Sequence, residues 1–395
     1  MIPLRHTACA LLAAAGLAAL PNSAPAAETD IKLPPVLVWT AYDVGSTGYS
    51  QAVGFGSTLK NKLGTTLRVL PGKNDVSRLI PVREKKADYS LTGTSDVLYA
   101  QEAMYVFGSR SWGPQAITQV ITSVSDATPS LGTTLDSGIR TLSDIRGKRV
   151  AWVRGAPSLQ HSTRAVLAFA GLTWDDVVKV ELPGYGATFN ALVEGQVDVI
   201  HAYTNAAGYV KAASSSRGLR ILPVPHADEA GWKRLQAVAP YTFKAIAKDG
   251  PNLPPEGQEM FASPYPILVT TAARSEDDVY NMTKAMVALH DAYKGSAPGM
   301  TGWAIERQRF AETMIPFHPG SVRYYKEISA WTPQAQATLE ESQRRVAVVT
   351  GAWNSYLAKA PADDAAFADG WMKARAKALE GEKLITIQDS WETES

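Results

Sequence analysis

Short apolar runs alternate with helix-length segments along this chain, and each run ends in a glycine or polar turn. That alternation constrains the fold more than any other feature. Val36–Thr40 reads as a strand, Gly45-Ser46-Thr47-Gly48 as a turn and Tyr49–Lys62 as a helix. Thr66–Leu70 is a second strand, Pro71-Gly72 a turn, Val76–Lys86 a charged helix and Tyr89–Thr92 a third strand. The pattern restarts with strand Lys148–Val153, helix Ser158–Ala170, strand Val178–Leu182, short helix Phe189–Glu194 and strand Val197–Tyr203. Parallel strands need crossover connections, and helices supply them. The spacing therefore predicts an α/β protein of two similar lobes, each a mostly parallel sheet flanked by helices. The Gly/Ser/Thr-rich stretch Ser125–Ser143 is expected to separate them. The C-terminal part is expected to be helical. Ser275 and Asp278 form a capping-box pattern, and Val279, Met282, Met286, Leu289 and Tyr293 share one face. Long helices are expected at Pro333–Ala358 and Ala362–Leu379.

The first residues have the layout of an export signal. Arg5 and His6 precede an apolar run, Ala8–Leu20, and an A-x-A site follows at Ala24-Pro25-Ala26. The run is too short to span a bilayer. Residues 1–26 are expected to be removed, giving a periplasmic protein that is not embedded in the membrane. The only cysteine, Cys9, falls within that leader. Disulfide scaffolds, thiolate zinc sites and cysteine nucleophiles are thereby excluded from the mature chain. With 39 Lys+Arg against 38 Asp+Glu, the chain has no basic footprint for nucleic acid.

Enzyme signatures are lacking. The sequence has no H-E-x-x-H, no G-x-S-x-G and no complete Walker A element. His161, His201, His226, His290 and His318 stand at no close metal-ligand spacing. His161 is placed at a helix start facing a cleft, and His201 reads as a core or strand-end histidine. No catalytic residue, metal or cofactor is expected.

What stands out instead is the set of loops after the strands, where open α/β sheets bind ligands. Tyr42 leads into Gly45, Ser46, Thr47 and Gly48, where a helix start offers free N–H groups to an anion, or simply an N-cap turn. Thr94, Ser95 and Asp96 follow the third strand as ligand contacts or helix caps. Arg154 precedes a glycine turn, then Ala156 and Ser158; it is suited to fork onto a carboxylate or to form a surface ion pair. Tyr203 ends its strand as a pocket wall or as core. These twelve residues are the expected ligand contacts.

Five elements in order resemble the TAXI family, the solute-receptor subunits of TRAP (tripartite ATP-independent periplasmic) transporters. They are Gly45-Ser46-Thr47-Gly48, Thr94-Ser95-Asp96, the link Leu142–Val150, Glu194-Gly195-Gln196-Val197-Asp198, and His318-Pro319-Gly320 with Tyr324-Tyr325-Lys326-Glu327. The resemblance covers roughly residues 36 to 327. It implies a two-lobed periplasmic binding protein of type II-like architecture with a helical C-terminal extension. Lobe one would be 28–120 plus 265–395 and lobe two 121–264, with crossings near Ala116–Val124 and Tyr265–Thr271. It also implies a small organic acid or amino acid as ligand and a TRAP membrane permease as partner. A receptor that feeds a sensor or another transporter, or an enzyme on the same scaffold, are the alternatives. Pro71–Asp75 and Ala156–Gln160 stand where the family carries glycine-serine turns. Tyr42, Tyr49, Tyr99, Trp112, Tyr185 and Tyr203 are expected to surround the cleft and admit a bulkier or aromatic acid.

Overall fold

The computed structural model describes residues 30–387. The expected export signal lies outside the described residues. In chain order, the first lobe begins with β1 (Val36–Tyr42), α1 (Thr47–Leu63), β2 (Thr66–Gly72), α2 (Asp75–Arg83), β3 (Tyr89–Thr92), α3 (Thr94–Gln101) and β4 (Ile117–Thr122). The second lobe holds β5 (Pro129–Thr133), β6 (Arg149–Val153), α4 (Pro157–Phe169), β7 (Val178–Leu182), α5 (Tyr185–Val193) and β8 (Val199–Tyr203). It continues through α6 (Ala207–Ala213), β9 (Arg220–Ile221), α7 (Glu229–Val238), β10 (Phe243–Ala247) and β11 (Gln258–Ala262). The chain returns as β12 (Ile267–Thr271), then α8 (Glu276–Ala288), α9 (His290–Tyr293), α10 (Pro319–Glu327), α11 (Pro333–Leu357) and α12 (Asp364–Gly381).

The two five-stranded sheets share one plan. The first has the order β2-β1-β3-β12-β4 and the second β7-β6-β8-β5-β9. β1 is parallel to β2 and β3, and β6 to β7 and β8. β12 runs antiparallel to β3 and β4, and β5 antiparallel to β8 and β9. Each sheet is therefore mostly parallel, as expected, with one strand of the five, β12 or β5, running against the other four. The cause is the crossing between lobes. A strand arriving from the other lobe enters at the carboxyl edge of its new sheet and must run back down it. Ile267 accordingly pairs with Thr92 at the end of β3, and Pro129 with Tyr203 at the end of β8. The stretch Ser125–Ser143 thus contains a fully buried sheet strand, β5, and is not a mere spacer. Its sequence, Pro-Ser-Leu-Gly-Thr, carries little strand signal.

Ala116–Val124 and Tyr265–Thr271 hold β4 and β12, neighbours in the first sheet. The chain passes between lobes just beyond them, through 123–128 and 263–266. These two segments run together: the Tyr265 N–H donates to the Ser123 carbonyl, and the Ser123 N–H to the Pro266 carbonyl. Each lobe has its own apolar core, Trp39, Phe55 and Tyr89 in the first and Phe189, Leu192 and Ile200 in the second.

Some helix starts differ from their expected positions, and side chains cap several of them. The Ser46 side chain accepts from the Tyr49 N–H, so α1 starts at Thr47. Helix α5 starts at Tyr185, four residues before the expected Phe189. Ser275 caps α8 through the Asp278 N–H, and Val279, Met282, Met286, Leu289 and Tyr293 are all buried. The His318 imidazole accepts from the Gly320 N–H and opens α10. Gly320 lies against α8 so closely that an added Cβ would meet the Tyr280 backbone nitrogen at 2.8 Å. A backbone atom cannot rotate away, so Gly320→Ala is expected to destabilise the protein by about 1–3 kcal/mol. Urea unfolding measures this; an unchanged midpoint would show that α8 and α10 have room to part.

The C-terminal helices dock on the end of α3. The Trp371 indole donates to the Ala103 carbonyl at 2.8 Å. The Glu102 carboxylate accepts from Arg345 Nε at 2.5 Å and from Arg375 Nη1.

Candidate functional site

The loops at the carboxyl ends of the two sheets face each other and touch. Thr47 Oγ1 donates to Asn205 Oδ1 at 2.7 Å, and the Gly208 N–H to the Gly45 carbonyl at 3.1 Å. The Gly186 N–H donates to Asp43 Oδ2 at 3.0 Å. The rings of Tyr203 and Tyr265 stack with centroids 4.0 Å apart. The lobes are closed on one another.

Between them lies a cavity of about 50 Å³, room for roughly three to five water-sized groups. Its first-lobe walls are Tyr42 at the end of β1 and Gly93, Thr94 and Ser95 at the start of α3, with Tyr265 from the crossing. The second lobe supplies Ser158 and Ser162 of α4, Tyr185, His201 and Tyr203, and the pair Tyr241 and Thr242. A larger chamber of about 460 Å³ lies on the far side of Tyr241 and Thr242, against Thr338 and Arg345 of α11.

A buried charge cluster sits behind the cavity. Asp75 opens α2 in the first lobe, and its carboxylate reaches the start of α4 in the second. It accepts from the Ser158 N–H at 2.8 Å, Ser158 Oγ at 2.8 Å and Tyr42 Oη at 3.0 Å. Arg78 Nη2 bridges Asp75 at 2.6 Å and Asp96 at 2.7 Å, and its guanidinium lies 3.4 Å from the centre of the Tyr42 ring. Asp75, Arg78 and Asp96 are wholly buried. One guanidinium between two carboxylates leaves an excess negative charge out of water, which favours protonation of one acid. Burial pushes the Asp96 carboxyl up to about 6, against the pull of Arg78.

The sign of the pH dependence follows. A carboxyl raised on folding keeps its proton after the unfolded chain, at about 3.9, has lost it. Its contribution is full below that value and falls as pH rises to about 6. Wild type is therefore expected to lose stability relative to Asp96→Asn between pH 4 and 6. Urea unfolding across that range tests it, and a constant difference would contradict the assignment.

The twelve expected contacts divide into four groups. Tyr42, Thr94, Ser95, Ser158 and Tyr203 line the cavity. Asp96 lies behind it on Arg78, and Ala156 is buried as the N-cap of α4. Gly45, Ser46, Thr47 and Gly48 serve capping and contact between the lobes: Ser46 caps α1, Gly45 and Thr47 hold the second lobe, and Gly48 packs under Tyr265. Arg154 is exposed and pairs with Glu181 of the neighbouring strand β7, so its guanidinium is turned out of the cavity. Trp112 packs against Phe107, and Tyr49 against the first-lobe core. His161 is buried with both nitrogens bonded: Nε2 donates to the Val238 carbonyl, and Nδ1 accepts from the Tyr105 hydroxyl. Among the described residues, no group of three His, Cys, Asp or Glu is placed to hold a metal ion. No helix among them is long and apolar enough to cross a membrane.

Residues 43–328, from the loop after β1 to the residue after α10, match the NMT1-like family. The chain belongs to that family. The matched span contains every cavity residue named above except Tyr42, while α11 and α12 of this NMT1-like protein lie beyond it. Among solved structures it is similar to the alkanesulfonate-binding protein SsuA from Xanthomonas axonopodis pv. citri bound to MOPS. The identity is 16% over 91% of this chain and 96% of that one, with a TM-score of 0.46. The periplasmic aliphatic sulphonate binding protein SsuA from Escherichia coli is 15% identical over 92% of this chain and 93% of its own, TM-score 0.43. An arginine transport system periplasmic binding protein from Legionella pneumophila is 12% identical over 67% and 96%, TM-score 0.41.

Sequence reasoning missed Asp75 and Arg78 of this NMT1-like protein because they look like ordinary charges on a solvated helix. Their spacing of three residues, which puts both on one helical face, was the available signal. Tyr241, Thr242 and Tyr265 lie in connections without periodicity, and nothing local marked them.

Proposed function

We propose that this NMT1-like protein is a periplasmic solute receptor of the TAXI type. It captures a small organic acid or amino acid between its lobes and delivers it to a TRAP membrane permease. The observation that carries this reading is the cavity with walls from both lobes. A solute that fills it makes its full set of contacts only when the lobes are closed, and so stabilises that state. The helix start of α3 supports an acid. Its N-cap residue, Gly93, makes no side-chain cap bond, and Thr94 and Ser95 line the cavity there. The positive end of that helix favours a carboxylate, whereas the start of α4 already holds Asp75 through the Ser158 N–H. The moving bodies are the first lobe, with β1–β4, β12 and the helices after it, and the second lobe, with β5–β11, joined by the paired segments 123–128 and 263–266 as hinge. The permease rests on the TAXI resemblance of the five sequence elements, and the periplasmic address on the export-signal layout of residues 1–26. A few charge-assisted hydrogen bonds with aromatic burial are sufficient for micromolar binding, about −8 kcal/mol.

The test is thermal unfolding of protein stripped of bound solute by denaturation and refolding, against amino, dicarboxylic, hydroxy, keto and aromatic acids. A solute at one hundred times its dissociation constant adds about 2.7 kcal/mol, a shift of several degrees. One chemical class is expected to give that shift. A cooperative transition that no acid moves would overturn the reading.

A further inference from the structure

We propose that His201 is the residue through which the second lobe recognises a hydroxyl or carbonyl group on the bound acid. This deepens the reading of the cavity as a solute site and rests on it. His201 is the third residue of β8, opposite Leu131 of β5, and it lines the cavity. Neither of its ring nitrogens has a hydrogen-bond partner among the described residues.

The neighbouring polar groups contrast with it. Tyr42 Oη and Ser158 Oγ donate to Asp75. Thr94 Oγ1 donates to the Pro264 carbonyl, and Thr242 Oγ1 to the Ala239 carbonyl. The Tyr241 hydroxyl meets that of Tyr99. His161, the histidine of the adjoining helix, has both nitrogens bonded. His201 is thus a donor and an acceptor left uncommitted at the wall of the site. A buried polar group without a partner lowers stability, and a solute bound at the wall it occupies is one source of that partner.

The chemistry of that partner follows from the state of the ring. Burial pushes the imidazole pKa down to about 4, so at neutral pH it carries no charge. One nitrogen then donates and the other accepts. A neutral ring does not balance a carboxylate, which the start of α3 favours. It does match a hydroxyl, which can donate or accept, and a carbonyl, which accepts. With a cavity of about 50 Å³, the indicated class is a short hydroxy or oxo acid.

The test uses lactate, pyruvate and propionate, which share a carboxylate and three carbons and differ in the second polar group. Calorimetric titration is run on refolded wild type and His201→Phe, which keeps a ring and removes both nitrogens. Wild type is expected to bind lactate or pyruvate about tenfold more tightly than propionate. His201→Phe is expected to lose that preference. Without solute, it is also expected to melt a few degrees higher, because an unpaired group has been removed. His201→Gln, which keeps a donor and an acceptor, is expected to recover part of the preference. A preference retained in His201→Phe, or a lower melting point with no solute present, would overturn the proposal. If all three acids fail while another class shifts the melting point, the cavity reading stands and the role of His201 falls. If no acid of any class shifts it, both fall.

Discussion

Glu102→Ala is expected to destabilise this protein by about 3–5 kcal/mol, the range for removing one partner of a buried ion pair. Glu102 follows α3 and is 2% exposed, while Arg345 and Arg375 are 4% and 0% exposed. Its carboxylate is held by both guanidinium groups, one from α11 and one from α12. Without it, both guanidinium groups lose the carboxylate that joins them and stay buried at the same junction. Trp371 and Ala103 meet at the same junction, so the loss extends to the docking of the C-terminal helices. Glu102→Gln keeps the shape and loses the charge, and an intermediate effect is expected. Urea unfolding of both variants provides the measurement. A loss below about 1 kcal/mol, the scale of an exposed pair, would mean that the helices are held by apolar packing alone.

Asp75→Ala is expected to weaken solute binding by about two orders of magnitude. Its two bonds from Ser158 join the lobes behind the cavity. Hydrogen bonds to a charged group contribute about 1.5–3 kcal/mol each, and this contribution is made only in the closed state. Losing it lowers the population of the binding-competent form, and apparent affinity falls in proportion. Folding is expected to suffer less than closure, because Arg78 keeps Asp96 as partner and the cluster loses its excess negative charge. Ser158→Ala removes one of the two bonds and leaves Arg78 undisturbed, so its affinity is expected to fall between the two proteins. Titration with whichever acid gives the largest thermal shift decides the matter. Equal affinities in wild type and Asp75→Ala would show that this contact does not control closure.

The β-α-β order of each lobe follows from local signals: the strands Tyr89–Thr92 and Val178–Leu182 were expected where they stand. Strand β5 was hidden because it lies in a run of small residues, and only its neighbours β8 and β9 make it a strand. The site divides on the same line. Thr94, Ser95 and Ser158 carry a local mark, a polar residue at a helix start after a strand. Arg154 carries the same mark, yet Glu181, placed beside it by sheet register, holds its side chain outside. His201 and Tyr241 are defined by what surrounds them in space, and their segments hold no trace of it.

Where the solute binds decides the function. The most direct measurement is a crystal structure of the refolded protein with the acid that gives the largest thermal shift. Its carboxylate is expected at the start of α3, beside Ser95, with its second polar group on His201. Solute bound only in the larger chamber beside Thr338 and Arg345, with the cavity between the sheets left closed, would contradict the account.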